Sequence, residues 1–407
     1  MKTYLVGGAV RDALLNQPII EKDWVIVGGD AESIINMGYK PVGKDFPVFL
    51  HPETKEEYAL ARTERKTGRG YTGFACYASP EVTLEEDLQR RDLTINAMAM
   101  DHAGNLIDPY GGKNDLKNRL LRHVSPAFEE DPVRLLRIAR FSARFHHLGF
   151  RIAPETEKLM RQMVRAGSIH DLVHERVWNE LVKSLAEKNP VCFFQVLREC
   201  DALRILMPEI EALFGVPNPP KWHPEIDSGW HTYMVLEQAT ILSDSPLIRF
   251  AALVHDLGKA CTAVGKWPSH HHHDESGVDQ IKKLSQRMKI PKDYEKYGIL
   301  ASRFHSLIHR SQELTPATLL TLLENMDAFR QPNRFYDILT VCQADARGRP
   351  THQNDPYPQK EYLTRLLTSL NQISVKPFLE AGLTGSAIAT ALNQARIEFI
   401  KQFIRGA

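Results

Sequence analysis

The stretch Lys2-Thr-Tyr-Leu-Val-Gly-Gly-Ala-Val-Arg-Asp12, followed by Glu21-Lys-Asp-Trp-Val-Ile-Val27, decides the fold of the first part of the chain. Residues 2–6 and 24–27 are apolar and rich in β-branched and aromatic side chains, the composition of strands. Residues 9–15 read as a short helix after Gly7-Gly8. A Gly-Gly pair at a strand-to-helix junction lets backbone amides approach an anion closely, and the helix N-terminus adds partial positive charge. Taken alone, such a pair is weak evidence and reads as a plain tight turn. Glu21 and Asp23, two residues apart on an extended segment, point to the same side. Carboxylates so placed can hold Mg²⁺ bridging a triphosphate, although acidic pairs are also common in solvated loops.

Composition sets the outer bounds. A chain of 407 residues is too long for one ordinary domain and suits several modules. Apolar residues at 43% and charged residues at 25% match soluble globular proteins and exclude a disordered or fibrous chain. Lys plus Arg number 51 against 50 Asp plus Glu, so any nucleic-acid binding must come from segregated charge. No apolar run approaches membrane-spanning length, and residues 1–12 do not form a secretory signal. The cysteines at 76, 192, 200, 261 and 342 are odd in number and include no C-x-x-C pair; they read as reduced cytosolic thiols.

Along the chain, residues 57–61 form a third strand candidate and residues 84–100 a helix with Leu84, Leu88, Leu93, Ile95 and Met98 roughly on one side. From Asp131 onward the pattern is helical. An apolar stripe from Leu135 to Phe145 is accompanied by Arg134, Arg137, Arg140 and Arg144 at spacings of three and four. Further helices fit 155–165, 175–185 and 191–197. The run Gly215-Val-Pro-Asn-Pro-Pro220 reads as a linker, with a third, helical module beginning near Trp222. Residues 350–358 read as a loop before a helical tail.

Together the motifs Leu5-Val-Gly-Gly-Ala-Val-Arg-Asp12, Glu21-Lys-Asp23 and Arg90-Arg-Asp-Leu-Thr-Ile-Asn-Ala-Met98 resemble those of the class II tRNA nucleotidyltransferases, the CCA-adding enzymes. The resemblance is to the bacterial multifunctional kind with a fused HD phosphohydrolase domain; poly(A) polymerases of the same superfamily share the first motifs. It implies an α+β fold: a small sheet-and-helix nucleotidyltransferase head over 1–140, a helical neck and tRNA-binding region over 141–222, an HD domain over 228–330 and a helical tail over 331–407 that carries Asp345. It implies that Gly8, Arg11 and Arg91 contact the nucleotide, with Asp92 and Asn96 nearby on the same helix, and that Glu21 and Asp23 are the catalytic, Mg²⁺-binding carboxylates. The family norm is Asp-x-Asp, so Glu21 is a departure that reaches one methylene further. Glu57, on the third strand, is an additional carboxylate near the reacting hydroxyl. In Glu130-Asp-Pro-Val-Arg-Leu-Leu-Arg-Ile-Ala-Arg140, Asp131 and Arg134 match the pair that reads the base edge of CTP or ATP, three apart on one helical face. Arg137 and Arg140 continue that row as further nucleotide contacts. Residues 62–73, with Arg62, Arg65, Lys66 and Arg69 among glycines, read either as a plain strand connection or as the mobile loop that helps the family's pocket change from CTP to ATP. The implied chemistry is in-line attack of an RNA 3′-hydroxyl on the α-phosphate, with release of pyrophosphate.

Residues 117–165 hold eleven Lys and Arg against five Asp and Glu, the segregated charge that phosphate contacts require. Further on, His231, the dipeptide His255-Asp256 and Asp345 resemble the ligand order of HD-superfamily phosphohydrolases. Imidazole and carboxylate ligands suit Ni²⁺ or another divalent transition metal that activates water against a phosphoester, with His255 and Asp256 catalytic. His273 and His305 fit further HD positions, whereas His270, His271 and His272 read as exposed loop residues. The resulting expectation is a cytoplasmic enzyme, monomeric or weakly dimeric, acting on tRNA with CTP and ATP, with added phosphatase and 2′,3′-cyclic phosphodiesterase activity. The alternatives are a poly(A) polymerase and an RNA-binding protein in which only the HD hydrolase is active.

Overall fold

The computed structural model describes residues 1–42, 48–66, 74–220, 225 and 227–406, with the side chains of 64–66, 74–76 and 406 left aside. The expected basic loop therefore falls largely outside the described residues. The chain forms two compact units, Met1–Leu206 and Met207–Ala407.

The first unit opens with β1 (Lys2–Val6), α1 (Gly8–Leu14), β2 (Asp23–Val27), α2 (Ala31–Asn36), β3 (Lys40–Pro41), β4 (Val48–Leu50) and β5 (Glu57–Leu60). A hairpin of β6 (Arg62–Lys66) and β7 (Phe74–Ala78) follows, then α3 (Leu84–Gln89), β8 (Ala99–Met100) and β9 (Leu106–Ile107). Among the described residues the main sheet has the order β3-β4-β5-β2-β1-β8-β9. β1 and β2 pair antiparallel, and β2 and β5 pair parallel with Asp23 opposite Glu57. Successive strand residues face opposite sides. Val25 thus packs with Val6, Leu88 and Ala97, while its neighbour Ile26 packs with Ile34, Phe49 and Leu60, so both sheet faces are covered.

The helix expected over 84–100 breaks after Gln89. The Asp92 carboxylate accepts the Leu93 N–H at 2.8 Å, Leu93 forms a bridge with His123, and Thr94 to Asn96 make a single 3₁₀ turn before β8. A local side-chain acceptor for the backbone competes with helix continuation. Asp92 and Asn96 therefore do not share a helix with α3.

The remainder of the unit is α4 (Gly112–Asn118), β10 (Leu120–Leu121), α5 (Val133–Phe145), β11 (Arg151–Ile152), α6 (Pro154–Arg165), α7 (His174–Leu185), α8 (Val191–Glu199) and α9 (Leu203–Leu206). α5 packs on α7 and α8, and its Leu135, Leu136, Ile138 and Ala139 are fully buried. The expected division at 140/141 falls inside α5.

The second unit contains α10 (Pro208–Glu211), α11 (Ser228–Leu242), α12 (Pro246–Val254), α13 (His273–Met288), α14 (Lys292–His309), α15 (Pro316–Asn325), α16 (Pro332–Arg347), α17 (Pro358–Leu370), α18 (Lys376–Glu380) and α19 (Ser386–Gly406). The run 215–220 is packed within this unit instead of linking two modules: Asn218 is fully buried, Pro217 bridges to Asp227, and the Pro217 carbonyl lies 2.8 Å from His270 Nε2. The expected boundary at 330/331 does not mark a separate tail either. Phe335, Ile338, Leu339 and Cys342 of α16 share one core with Val235 of α11, Ala251 of α12 and Leu300 of α14, and α17 and α19 add Leu366, Leu370 and Ile400.

Candidate active sites

In the first unit a cavity of about 750 Å³ is lined by Gly8, Arg11, Glu21, Asp23, Arg91, Asp131, Arg134, Arg137 and Arg140, all of which the sequence singled out. Asp12, Glu57, Arg62, Arg90, Asp92, Asn96, Arg144 and Arg176 add to its polar wall. The sheet register explains one side. Asp23 is the first residue of β2 and Glu57, directly beside it, the first of β5, so both carboxylates stand at the same end of the sheet, with Glu21 just ahead. None of the three makes an ion pair among the described residues, although arginines line the same cavity. Crowding by the surrounding protein raises Asp23 above its ordinary value, Arg91 opposes this, and Glu21 adds to the rise. A carboxylate set of this kind suits a hard cation such as Mg²⁺.

The β1-to-α1 turn requires its first glycine more than its second. Gly7 has φ +70°, and a Cβ there would sit 2.8 Å from Arg91 Nη1. Arg91 thus leans on the turn, tied to the buried Asp87 at 3.1 Å. Arg11 is more committed than a free phosphate ligand would be. Its guanidinium donates to both Asp12 oxygens at 2.8 and 2.9 Å and to Asn96 Oδ1 at 2.6 Å, and it stacks 5.0 Å from the Phe145 ring centre.

The opposite wall is α5 and the residues before it. Asp131 does not share the helix with Arg134. It precedes Pro132 in extended conformation (φ −115°, ψ 102°), as residues before proline are driven to be, and accepts the Val133 N–H at 3.1 Å. Its two oxygens accept from Arg176 Nη1 and Nη2 at 3.1 and 2.8 Å. Arg134 donates to the Ala127 carbonyl. Arg137 donates to Asp92 at 2.6 Å, and Arg140 to Glu180 at 2.7 Å. Burial alone would raise Asp92, but the Arg137 charge and hydrogen bonds from Asn96, Arg137 and the Leu93 amide hold it well below the carboxylate range. Arg137 and Arg140 also lie over Phe141, at 5.7 and 4.7 Å from its ring centre. Sequence reasoning missed Arg176, which lies on another helix and carries no local signal.

The second site is built by the turn after α12. Gly258 permits it: a Cβ there would meet the His273 carbonyl oxygen, so the missing side chain lets this turn lie against the start of α13. His231, His255 and Asp345 offer ligand atoms within 4.8 Å of one another, and so do Asp256, His273 and His305. Asp256 joins the two groups, with Oδ2 3.3 Å from His255 Nε2 and Oδ1 3.4 and 3.6 Å from the Nε2 atoms of His273 and His305. The sequence-derived set of His231, His255, Asp256 and Asp345 is therefore brought together, and His273 and His305 join it. His270 is tied to Thr262 and Pro217, whereas His271 and His272 are exposed. His309 was missed, although its spacing of four from His305 on one helix is a readable signal; its Nε2 lies 2.7 Å from Asp345 Oδ2.

The Nδ1 atoms of these histidines face backbone carbonyls: His231 to Gly348 at 3.0 Å, His255 to Ala252 at 2.8 Å, His273 to His270 at 2.7 Å and His305 to Ser302 at 2.9 Å. Such bonds favour a proton on Nδ1 and would leave Nε2 as a lone-pair donor to a bound metal. With no metal bound, burial lowers His255, but the neighbouring Asp256 and Asp345 carboxylates outweigh it and push it up to about 10, holding a proton that a metal would displace. Buried His255 Nε2 and Asp256 Oδ1 have no hydrogen-bond partner, which a coordinated divalent metal would remedy. Burial pushes His305 down to about 3, so its imidazole is neutral. Asp256, which burial would raise, is held well below its ordinary value by Lys259 and His255. The donor set fits a transition metal.

Residues 3–122 match the Poly A polymerase head domain, 149–214 the probable RNA and SrmB-binding site of polymerase A, and 230–329 the HD domain. The chain is 58% identical to the multifunctional CCA protein of Thioalkalivibrio sulfidiphilus (strain HL-EbGR7), covering 99% of this chain and 98% of that one. It is 54% identical to the multifunctional CCA protein of Tolumonas auensis (strain DSM 9187 / NBRC 110442 / TA 4), covering 98% of both. Its fold is similar to that of the Bacillus stearothermophilus CCA-adding enzyme in complex with CTP, with a TM-score of 0.65 at 24% identity over 97% of this chain and 87% of that one. The Thermotoga maritima CCA-adding enzyme complexed with tRNA gives a TM-score of 0.63 at 20% identity over 100% and 90%.

Proposed function

This chain belongs to the multifunctional CCA protein family, and on that premise we propose that it builds and repairs the 3′-terminal CCA of tRNA from CTP and ATP, without a nucleic-acid template. The observation that carries the reading is the convergence of Glu21, Asp23 and Glu57 with Arg91, which follows α3, and with the arginines of α5 and α7 on one cavity. Mg²⁺ held by Glu21 and Asp23 would supply charge neutralisation at the reacting phosphates and a lowered pKa for the RNA hydroxyl. The chain's own groups position and stabilise. The Gly8 amide and Arg91 hold the triphosphate, and Arg11 braces the Gly7-Gly8 turn through Asp12 and Asn96. Asp131 and Arg134 present an acceptor and a donor fork to the pairing edge of the base. Arg137 and Arg140 are oriented by Asp92 and Glu180 and add positive charge beside the leaving pyrophosphate.

The basic surplus of residues 117–165 divides by location. Arg134, Arg137, Arg140 and Arg144 line the cavity, and Arg122 pairs with Asp115 and Glu155. Lys117, Arg119, Arg151, Lys158, Arg161 and Arg165 are exposed and suit the phosphates of tRNA. The HD cluster acts as a phosphatase and 2′,3′-cyclic phosphodiesterase with Ni²⁺ or a similar ion, and removes blocked RNA ends that cannot be extended. The reactions belong in the cytoplasm. Among the described residues no helix is long and apolar enough to cross a membrane.

The test is to incubate tRNA lacking its 3′ end with CTP, ATP and Mg²⁺ and to sequence the products. Addition of C, C and A followed by arrest is expected; a long run of A would favour a poly(A) polymerase instead.

A further inference from the structure

We infer that Arg349 is the phosphate-binding residue of the HD cavity, and that the cavity therefore selects substrates by a terminal phosphate group whose oxygens a guanidinium can reach. The inference rests on the hydrolytic reading given above and deepens it. The HD cavity, of about 330 Å³, is lined by Asp256, His273, His305, His309 and Asp345 on its metal-binding side and by Lys259 and Arg349 as its cationic side chains. The two cations differ in availability. Lys259 is buried, and its Nζ is 2.6 Å from Asp256 Oδ2, so its charge is spent on a metal-binding carboxylate. Arg349 makes no side-chain hydrogen bond or ion pair among the described residues, and its Nε is buried without a partner.

A buried donor with no acceptor is costly unless a ligand supplies the acceptor. A guanidinium on the wall of a cavity that also presents imidazole and carboxylate ligands is matched by a phosphate, which can accept two parallel N–H bonds. The backbone ties this arginine to the metal cluster. Gly348, immediately before it, accepts from His231 Nδ1 at 3.0 Å, and a Cβ at Gly348 would meet the Val235 backbone nitrogen at 2.8 Å. Close packing of Gly348 against α11 thus fixes where Arg349 starts. Both a phosphomonoester and a 2′,3′-cyclic phosphate present suitable oxygens, and separate assays distinguish them.

The experiment compares wild type, Arg349→Ala and Arg349→Lys, each loaded with Ni²⁺. Binding of inorganic phosphate is measured by calorimetry, and kcat and KM are measured on a nucleoside monophosphate and on a 2′,3′-cyclic nucleotide. Loss of a charge-assisted bond predicts phosphate binding weakened about tenfold to a hundredfold in Arg349→Ala. KM should rise by a similar factor, with a smaller change in kcat, and Arg349→Lys should recover part of the loss. Metal content and nucleotide addition to tRNA, measured on the same preparations, should stay at wild-type levels. Unchanged phosphate binding in Arg349→Ala overturns the inference even if hydrolysis is absent altogether. Absence of hydrolysis in the wild type with phosphate binding still dependent on Arg349 would instead remove the hydrolytic reading and leave the binding site.

Discussion

Arg176 grips Asp131 with a two-pronged ion pair, Nη1 to Oδ1 at 3.1 Å and Nη2 to Oδ2 at 2.8 Å, across 45 residues of sequence. The carboxylate proposed to read the base edge is thus aimed by a side chain from α7, while Pro132 keeps Asp131 off the helix that carries Arg134. Arg176→Ala should therefore weaken base selection in the same direction as Asp131→Ala. Leaving one partner of such a pair unsatisfied costs about 1–3 kcal/mol, or roughly five- to hundredfold in discrimination. Incorporation of CTP, ATP, UTP and GTP measured side by side checks this; unchanged ratios in both variants would remove Asp131 from base recognition.

Glu21 and Glu57 stand on either side of Asp23, one just ahead of its strand and one in register on the neighbouring strand. Glu21→Asp should be tolerated or mildly activating, because it restores the family's usual carboxylate length, whereas Glu21→Ala should be strongly impaired. Glu57→Gln should slow addition while leaving tRNA affinity near normal. Rates measured over a Mg²⁺ titration separate the outcomes: equal activity of Glu21→Ala and wild type at limiting Mg²⁺ would strike residue 21 from the metal set.

Asp92 anchors Arg137 from a buried position, and its folded-state pKa lies well below the ordinary carboxylate value. The sign follows from linkage: a depressed folded pKa adds stability that is complete above the unfolded carboxylate range, near about pH 4, and is lost as pH falls through the folded value. Asp92→Asn should lower stability at neutral pH and flatten its loss between about pH 4 and pH 2. Chemical denaturation at stepped pH reads this directly; parallel pH curves for the two proteins would contradict it.

Gly258 packs its α-carbon against the start of α13, so Gly258→Ala must displace one of the two segments that carry Asp256 and His273. Transition-metal affinity should drop by at least about tenfold, the size of effect seen when ligand orientation is lost. Equilibrium dialysis against Ni²⁺, with thermal unfolding as a companion, measures the change. Retained affinity would show that the HD cluster does not need that close approach.

Much of the fold was legible because its signals are local. The strand composition of residues 2–6 and 24–27, the Gly7-Gly8 turn and the arginine row on α5 each lie within a few residues of one another. The resemblance supplied what spacing alone could not, chiefly that His231 and Asp345 meet although they are 114 positions apart. What stayed hidden depends on tertiary partners. Arg176 meets Asp131 only through helix packing. The helix expected over 84–100 ends where Asp92 takes a backbone amide and Leu93 bridges to His123. Proline and glycine at 215–220 signalled a break in regular structure, which is present, but not whether that segment was free or packed. His309 was readable in its spacing from His305 and was passed over.

The central claim is that one chain carries two independent chemistries, a carboxylate site for nucleotide transfer and a histidine-carboxylate site for phosphoester hydrolysis. The most direct measurement assays Asp23→Ala, His255→Ala, Asp256→Ala and wild type in parallel, for nucleotide addition to truncated tRNA with Mg²⁺ and for hydrolysis of a 2′,3′-cyclic nucleotide with Ni²⁺, Co²⁺ or Mn²⁺. The account predicts that Asp23→Ala loses addition and keeps hydrolysis, while His255→Ala and Asp256→Ala lose hydrolysis and keep addition. Hydrolysis undiminished in both HD variants, or loss of both activities in correctly folded Asp23→Ala, would contradict it.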